Sequence, residues 1–195
     1  MMVIGDNPEL QLAPYDENLE VPEYCDGEVS DADKKTMMDY YKSDNFDECY
    51  AQHGEDWNDN RYRKNEDGVW CEYSTYNPKS KWDWYQLGGR WSGRRFILKP
   101  GAKSGIVGKP SWMNPTGAGY DAALKGDIDF GSTDKEMFAP YAVIKDGEWY
   151  ARGEMGWWGV TTKTYFTDEE WTNKVWEMVM ALPDNTLISF YDCHI

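Results

Sequence analysis

The sequence predicts an α+β fold with a single antiparallel or mixed sheet, and the order of its segments leads to this prediction. Short apolar runs typical of strands stand at both ends of the 195 residues, at Met1–Gly5 and Leu187–Tyr191. A run with helical spacing, 168–182, follows Thr167 in a capping-box pattern. The segment 141–152 holds an Asp-Gly pair that marks a hairpin. This order resembles a ferredoxin-like split β-α-β sheet with hairpin elaborations, in which the two terminal strands lie at the centre.

The first third of the chain predicts a loop and two short helices. Pro8 ends the first strand, and residues 9–29 carry further prolines and many acidic residues, so we interpret them as an extended, packed loop. Ser30 is a good N-cap for one helix, because carboxylates follow it in the first turn. Asn45 is a good start for a second helix, and Gly54 is a good end for it.

The middle of the chain predicts strands and then a long loop. Residues 61–99 combine aromatic runs with turn signals, including an Asp-Gly pair that ends at Gly68. Residues 100–135 are rich in glycine and proline and show no periodicity, so we predict a long loop or insertion with one short helix at 120–124. We expect the whole chain, 1–195, to form a single α+β domain.

Charge is distributed unevenly along the sequence. Residues 1–60 carry a net charge of −14, residues 61–110 carry +7 and residues 111–195 carry −8. An acidic surface repels nucleic acid and anionic membranes and attracts basic surfaces, so the expected partner is a protein with a basic surface. The candidate partner-binding residues form an acidic face: Asp31, Asp33, Asp39, Asp44, Asp47, Glu48, Glu55 and Asp56.

The cysteine pattern gives no support for a disulfide framework or a zinc site. The chain has four cysteines and no C-x-x-C pair: Cys25, Cys49, Cys71 and Cys193. With no export signal and no apolar run long enough for a membrane span, we expect reduced thiols and a cytoplasmic location. Cys49 with His53, and Cys193 with His194, match no known zinc spacing, so we predict no metal and no cofactor.

The densest motif combines tryptophan, glycine and arginine, N-P-K-S-K-W-D-W-Y-Q-L-G-G-R-W, and a second aromatic cluster, E-M-G-W-W-G, follows later. Strand alternation would place Trp82 and Trp84 on one face. Arginine suits phosphate or carboxylate, and tryptophan can stack on a base, so one interpretation is an anion or nucleotide pocket. The other interpretation places the tryptophans in the hydrophobic core and pairs the arginines with the acidic residues of segment 1–60. The candidate ligand-binding residues are Trp82, Trp84, Arg90, Trp91, Arg94, Arg95, Trp157 and Trp158.

The chain ends in Asp192-Cys193-His194, where alternation puts Asp192 and His194 on one face, close enough for a hydrogen bond. No Walker loop, G-x-S-x-G, H-E-x-x-H or dinucleotide-binding fingerprint is present in the sequence. We therefore assign no catalytic residue. An enzyme that acts on a nucleotide or nucleic acid through this pair remains an alternative.

Three stretches of the sequence carry a resemblance to a known family. They are the N-P-K-S-K-W-D-W-Y-Q-L-G-G-R-W-S-G run, the G-E-W-Y-A-R-G-E-M-G-W-W-G run and the terminal D-C-H-I, to which the opening V-I-G-D-N-P-E-L-Q-L-A-P-Y-D-E-N-L can be added. The chain thereby resembles an uncharacterised family of small soluble proteins encoded by bacteriophages and prophages. The resemblance implies a phage context inside the host cell and assigns no chemistry to any residue.

Together these observations favour a non-enzymatic function. The leading hypothesis is a phage-encoded acidic protein that blocks a host protein, such as a nucleic-acid-binding defence effector, with its acidic face in a groove meant for phosphates. The first alternative is a binder of a nucleotide or another small molecule that uses the tryptophans and arginines. The discriminating observation is whether Arg90, Arg94 and Arg95 are buried against carboxylates or line a cleft with Trp91.

Overall fold

The computed structural model describes residues 1–112, 115–156 and 159–194. These residues form two compact units. The large unit comprises residues 1–19 and 79–195, and the small unit comprises residues 20–78. Helices and strands are mixed in both, so the α+β class predicted from the sequence is confirmed. In the described part of the chain, no helix has the length and apolar character needed to cross a bilayer.

A mixed sheet forms the centre of the large unit. Its strands are β1 (Met2–Ile4), β5 (Trp84–Gly89), β6 (Lys109–Pro110), β7 (Ala122–Leu124), β8 (Ala142–Lys145), β9 (Glu148–Ala151) and β12 (Leu187–His194), numbered in chain order. They lie in the order β6-β5-β12-β1-β8-β9, and β7 pairs with β12. β1 is antiparallel to β12, with Met2 opposite Phe190, and parallel to β8, with Met2 beside Val143. The prediction that the first and last strands pair at the centre of the sheet is therefore confirmed.

The long helix α5 (Asp168–Met180) covers one face of this sheet. Thr167 caps it as predicted, because its side chain accepts from the backbone of Glu170 and the Glu170 side chain accepts in return. Apolar residues at helical spacing on α5, Val175 and Val179 among them, pack with the buried Met2 of β1. The predicted hairpin also forms, as β8 and β9.

The opposite face of the sheet is covered by the segment that follows β1. The sequence predicts a loop over residues 9–29, but the structure has α1 (Pro8–Leu12), then a 3-10 turn at Ala13–Tyr15. Proline fixes a helical φ and needs no hydrogen-bond partner in a first turn, so Pro8 begins this helix rather than ending the structure. Leu12 and Tyr15 pack there with the buried Trp82.

The glycine-rich segment 100–135 is packed against the sheet and holds β6 and β7, and α4 (Lys135–Phe138) follows it. The helix predicted at 120–124 is wrong, because Ala122–Leu124 is a strand beside β12. Glycine is required here for close approach: a Cβ at Gly108 would overlap the backbone of Leu87, and one at Gly119 would overlap the carbonyl oxygen of Phe96. The remaining strands of the large unit form a two-stranded sheet, β10 (Gly153–Met155) with β11 (Thr161–Thr164).

The small unit packs two helices with a three-stranded antiparallel sheet. Its elements are β2 (Tyr24–Glu28), α2 (Asp31–Tyr41), α3 (Phe46–Asn58), β3 (Tyr62–Lys64) and β4 (Trp70–Ser74), and the sheet order is β2-β4-β3. Ser30 and Asn45 cap the two helices, as predicted. The predicted end at Gly54 is wrong: Gly54 is buried within α3, where a Cβ would overlap the ring of Tyr50. The core contains Met37, Phe46, Cys49 and Tyr50.

A disulfide joins Cys25 of β2 to Cys71 of β4, with the two Cα atoms 5.5 Å apart. The expectation of four reduced thiols is wrong for this pair. The strand pairing brings the two cysteines together, and a spacing of 46 residues along the chain gives no sign of it. Cys49 and Cys193 are free thiols. Disulfides persist mainly in oxidising surroundings, so this bond counts against the reduced state expected for the chain.

The single domain predicted over residues 1–195 stays a prediction, and the structure divides the chain into the two units. Inside the large unit, the amide of Glu17 donates to the carbonyl of Trp82 at 2.9 Å, so the chain leaves and re-enters this unit at neighbouring points. Inside the small unit, Val21 donates in the same way to Thr75 at 3.0 Å.

Candidate functional site

The candidate site is in the large unit, around the turn that follows β5. Gly88 and Gly89 have φ values of +79° and +55°, which non-glycine residues seldom adopt. A Cβ on Gly89 would overlap the side chain of Asp192, so glycine lets the chain pass directly over this carboxylate. The turn thereby presents Arg90 to Asp192.

Arg90 and Asp192 form a bidentate ion pair. Asp192 accepts from Nη2 of Arg90 at 2.6 Å, from its Nε at 2.9 Å and from its backbone amide at 2.8 Å. Burial raises the pKa of Asp192, but the hydrogen bonds and charge of Arg90 outweigh it, and the pKa lies below its ordinary value. Arg90 is therefore compensated by a carboxylate of the large unit.

A second buried carboxylate holds the segment after Arg90 in place. Asp121 is fully buried and accepts from the amides of Gly93 and Gly108, both at 2.8 Å, and from the hydroxyl of Ser92 at 3.1 Å. It joins the turn after β5 to the glycine-rich segment. Sequence reasoning missed this role, and the only available signal was the density of glycines around it.

Arg95 has a different environment from Arg90. Its guanidinium lies over the rings of Trp91 and Phe190, with its Cζ 4.9 Å and 5.6 Å from the ring centroids, and Nη1 donates to the carbonyl of Met137 at 2.7 Å. Within the described residues, its buried Nε has no hydrogen-bond partner. Burial lowers the pKa of Arg95 to about 10, which is still high enough to keep the group charged at neutral pH.

Arg90, Trp91 and Arg95 line one cavity of about 400 Å³, which we name the Trp/Arg cavity. It lies where β1 and β8 begin and β12 ends, and its lining includes Met1, Ala142 and Cys193. The other charged or hydrogen-bonding side chains in its wall are Lys81, Glu136, Trp149, Tyr141, Tyr191 and Asp192.

Tyr141 and Lys81 are lining residues that sequence reasoning missed. Tyr141 begins the predicted hairpin, and Lys81 belongs to the tryptophan motif, but neither position indicates that it borders a cavity. The hydroxyl of Tyr141 is buried and has no hydrogen-bond partner in the described part of the chain. Buried polar groups are nearly always paired in folded proteins, so the Tyr141 hydroxyl and Arg95 Nε are exceptions, although neither atom has surface that a ligand in the cavity could contact.

The other predicted ligand-binding residues are distributed differently. Trp82 is buried in the core beside Leu12, because the backbone bends at Asp83 and breaks the expected alternation with Trp84. Arg94 is exposed, and its Nη2 donates to the carbonyl of Pro115 at 3.3 Å. Trp157 and Trp158 lie outside the described residues.

The terminal pair does not form as expected. Nδ1 of His194 lies 3.1 Å from Oδ1 of Asp83, whereas Asp192 contacts Arg90. An Asp192–His194 pair for acid–base chemistry is therefore not assembled in this structure. Burial raises the pKa of the Cys193 thiol to about 11, so this neighbour is a poor nucleophile at neutral pH.

The eight residues of the acidic face all belong to the small unit, and all are exposed. Their positions have a partly structural cause, because Asp31, Asp33, Asp47 and Glu48 occupy the first turns of α2 and α3. Lys34, Lys35 and Lys64 make ion pairs with Asp31, Asp39 and Asp47, respectively.

The metal prediction concerns residues of both units. Cys49 and His53 lie on α3, and the ring of His53 stacks on Tyr41 with centroids 3.9 Å apart. Across residues 1–112, 115–156 and 159–194, no group of three or more histidine, cysteine or carboxylate side chains is placed to hold a metal ion.

Comparisons with known proteins gave no relative. No family model, no curated protein and no solved structure matches this chain.

Proposed function

We propose that the large unit binds a small organic anion with a planar ring, such as a nucleotide, in the Trp/Arg cavity. The observation that carries this proposal is that Arg90, Arg95 and Trp91 line the same cavity. The sign expected from the sequence was that Arg90, Arg94 and Arg95 line a cleft with Trp91, and it is met in part: Arg95 lines the cavity, Arg90 lines it but pairs with Asp192, and Arg94 is elsewhere.

The anion is indicated by the difference between the two arginines. Arg90 is matched by Asp192, but the direct contacts of Arg95 are a carbonyl and two aromatic rings. A half-buried guanidinium without a paired carboxylate is stabilised by an anion, because charge-assisted hydrogen bonds are strong where water is excluded.

The planar ring is indicated by the apolar part of the wall. Trp91 is 43% exposed beside the guanidinium, and Trp149 and Met155 also line the cavity. Cavities of a few hundred Å³ with mostly apolar walls and a few convergent polar groups are typical of small-molecule sites. Arginine next to an exposed indole is the combination that recognises phosphate and base together.

The test compares Arg95→Gln with the matched control Arg94→Gln in calorimetric titrations with nucleoside monophosphates, an aromatic carboxylate and inorganic phosphate. Both variants remove one positive charge from adjacent positions, but only Arg95 lines the cavity. Loss of a charge-assisted hydrogen bond costs about 1.5–3 kcal/mol, so Arg95→Gln should bind roughly 10- to 100-fold more weakly. Arg94→Gln should bind within about twofold of wild type.

If Arg95→Gln and Arg94→Gln weaken ligand binding equally, the affinity depends on the overall charge of the protein and not on a site at Arg95. Absence of binding to every probe in the wild-type protein would also contradict the proposal.

The acidic face supports a second candidate function, namely capture of a basic surface on a host protein. Residues 20–78 carry 16 acidic and 6 basic residues, a net charge of −10, within one compact unit. The phage context implied by the resemblance and a cytoplasmic location belong to this proposal. An acidic surface of this kind speeds association with basic partners and favours them over acidic ones.

This candidate is tested by reversing four exposed acidic residues to lysine, Asp44, Glu48, Glu55 and Asp56, and repeating a pull-down from bacterial lysate. A specific partner should be lost with the variant, and its binding to wild type should weaken steeply between low and physiological salt. Arg95→Gln serves as the control and should retain the partner. If the charge-reversed variant still binds the partner protein, this second proposal is contradicted.

A further inference from the structure

A second cleft, of about 480 Å³, adjoins the Trp/Arg cavity. We name it the aromatic cleft, because its wall contains Trp84, Trp112 and His194. Arg90 and Asp192 line both spaces, so the ion pair forms a shared wall between them. The proposed function does not use this cleft.

The aromatic cleft has a flat platform that is already assembled. The rings of Trp84 and His194 are nearly parallel, at 13°, with centroids 5.7 Å apart. Asp83 contacts the imidazole as well, with its carboxylate 3.1 Å from Nδ1. Trp84 is 50% exposed and Trp112 is 93% exposed. Large exposed indoles on a fixed platform offer a stacking surface for planar rings, which is worth about 5- to 150-fold in affinity per ring.

The shared wall is an ion pair without net charge, and the group in it that can contact a linker between two rings is Nη1 of Arg90. The ion pair with Asp192 uses Nε and Nη2 of Arg90, and Nη1 is not part of it. The segment 79–112 supplies most of the wall of the aromatic cleft and four residues of the Trp/Arg cavity, and it holds eight basic residues and one acidic residue, a net charge of +7. This local charge attracts a phosphodiester even though the whole chain has a net charge of −15.

We infer that the Trp/Arg cavity and the aromatic cleft are two subsites for one ligand, in which a phosphodiester joins two base-like rings. One ring lies beside Trp91, the other stacks on Trp84, and the linking phosphate contacts Arg90. This inference rests on the proposed function and names its ligand class: a dinucleotide, either free or as part of a single strand.

The experiment titrates the wild-type protein with a nucleoside monophosphate, a dinucleoside monophosphate and an eight-nucleotide single strand, and repeats each titration with Trp84→Leu. Tyr40→Leu is the matched control, because it removes a 71% exposed ring from the small unit. The dinucleotide should bind wild type at least tenfold more tightly than the mononucleotide. Trp84→Leu should remove that gain and leave mononucleotide affinity within twofold, and Tyr40→Leu should change neither affinity.

The outcomes separate this inference from the proposed function. If the mononucleotide binds through Arg95 but the dinucleotide binds no more tightly, or if Trp84→Leu weakens both ligands equally, the inference is overturned and the proposed function stands. If Arg95→Gln weakens neither ligand, the proposed function fails. A strand that binds more tightly than the dinucleotide, with steep salt dependence, identifies a polymer, and equal affinities identify the free dinucleotide.

Discussion

The two units of this chain handle their charges in opposite ways. In the small unit, Arg61, Arg63 and Lys64 each make an ion pair with an acidic residue of the same unit, and a net charge of −10 remains. In the large unit, Arg90 has a carboxylate partner, but Arg95 lies over aromatic rings beside a cavity. The small unit therefore holds excess acid at its surface, whereas the large unit keeps a guanidinium without a paired carboxylate at a site.

The largest loss of stability is expected when Asp121, a buried carboxylate of the large unit, is removed. Asp121→Ala leaves the amides of Gly93 and Gly108 without their acceptor, whereas the hydroxyl of Ser92 can still donate to the carbonyl of Gly108. Buried donors without partners cost about 1–3 kcal/mol each, so the free energy of unfolding should fall by at least about 2 kcal/mol. Hydrogen exchange followed by mass spectrometry should show the loss in the large unit and unchanged protection in residues 20–78.

The control is Asp44→Ala, an exposed substitution in the small unit that should change the free energy of unfolding by less than about 0.5 kcal/mol. Equal loss of protection in both units after Asp121→Ala would show that they unfold together, and the comparison between them would lose its thermodynamic basis.

The next largest loss of stability is expected from removing the disulfide of the small unit. Replacing both Cys25 and Cys71 by alanine removes a cross-link over 46 residues and should lower the free energy of unfolding by about 2–4 kcal/mol. Treating wild type with a reductant should produce the same loss of protection in residues 20–78, and the double variant should not respond to it. Four titratable thiols in unreduced, denatured wild type would show that the bond is absent.

Local signals predicted most elements, because a cap or a tight turn is specified by residues next to each other in sequence. Ser30, Asn45 and Thr167 cap helices as expected, and Asp146 and Gly147 both adopt the positive φ of the predicted hairpin. The boundary between the units is not specified in this way. The charge pattern changes at residue 60, but the small unit continues to Pro78 because β3 and β4 complete its sheet.

The candidate site was only partly predictable for the same reason. The tryptophan and arginine residues are visible as a motif, and the structure places Arg90, Trp91 and Arg95 in one cavity. The contributions of Asp121 and Tyr141 depend on contacts between segments far apart in sequence, which composition and spacing do not encode. The alternation that grouped Trp82 with Trp84 assumed a strand without a bend.

A smaller loss of stability, which depends on pH, should follow when the Arg90–Asp192 ion pair is broken. Asp192 has a lowered pKa in the folded protein, so its contribution to stability is present above the unfolded value of about 3.9 and is lost as pH falls below it. Asp192→Asn should cost about 1–2 kcal/mol at pH 7, a modest value because the Arg90 side chain is half exposed.

The melting temperatures of wild type and Asp192→Asn should therefore start to converge as pH falls below about 4 and should converge further as it falls toward the lowered pKa of Asp192 in the folded protein. A difference that stays constant over this range would show that the carboxylate contributes through shape rather than charge.

The smallest effect on stability is expected from the acidic face. Reversal of Asp44, Glu48, Glu55 and Asp56 to lysine reduces the net charge of residues 20–78 from −10 to −2 and relieves repulsion, most clearly at low salt. A lysine at Glu48 is unfavourable in the first turn of α3, which offsets part of that gain, so the net change should be less than about 1 kcal/mol.

The matched control is Asp47→Lys alone. Asp47 accepts from Lys64 and from Nε1 of Trp70, and the hydrogen bond from Lys64 is the main cause of its lowered pKa. Its single reversal should lower the melting temperature more than the four other reversals together. If the fourfold variant is the less stable protein, these carboxylates stabilise the small unit and are not held at its surface for a partner.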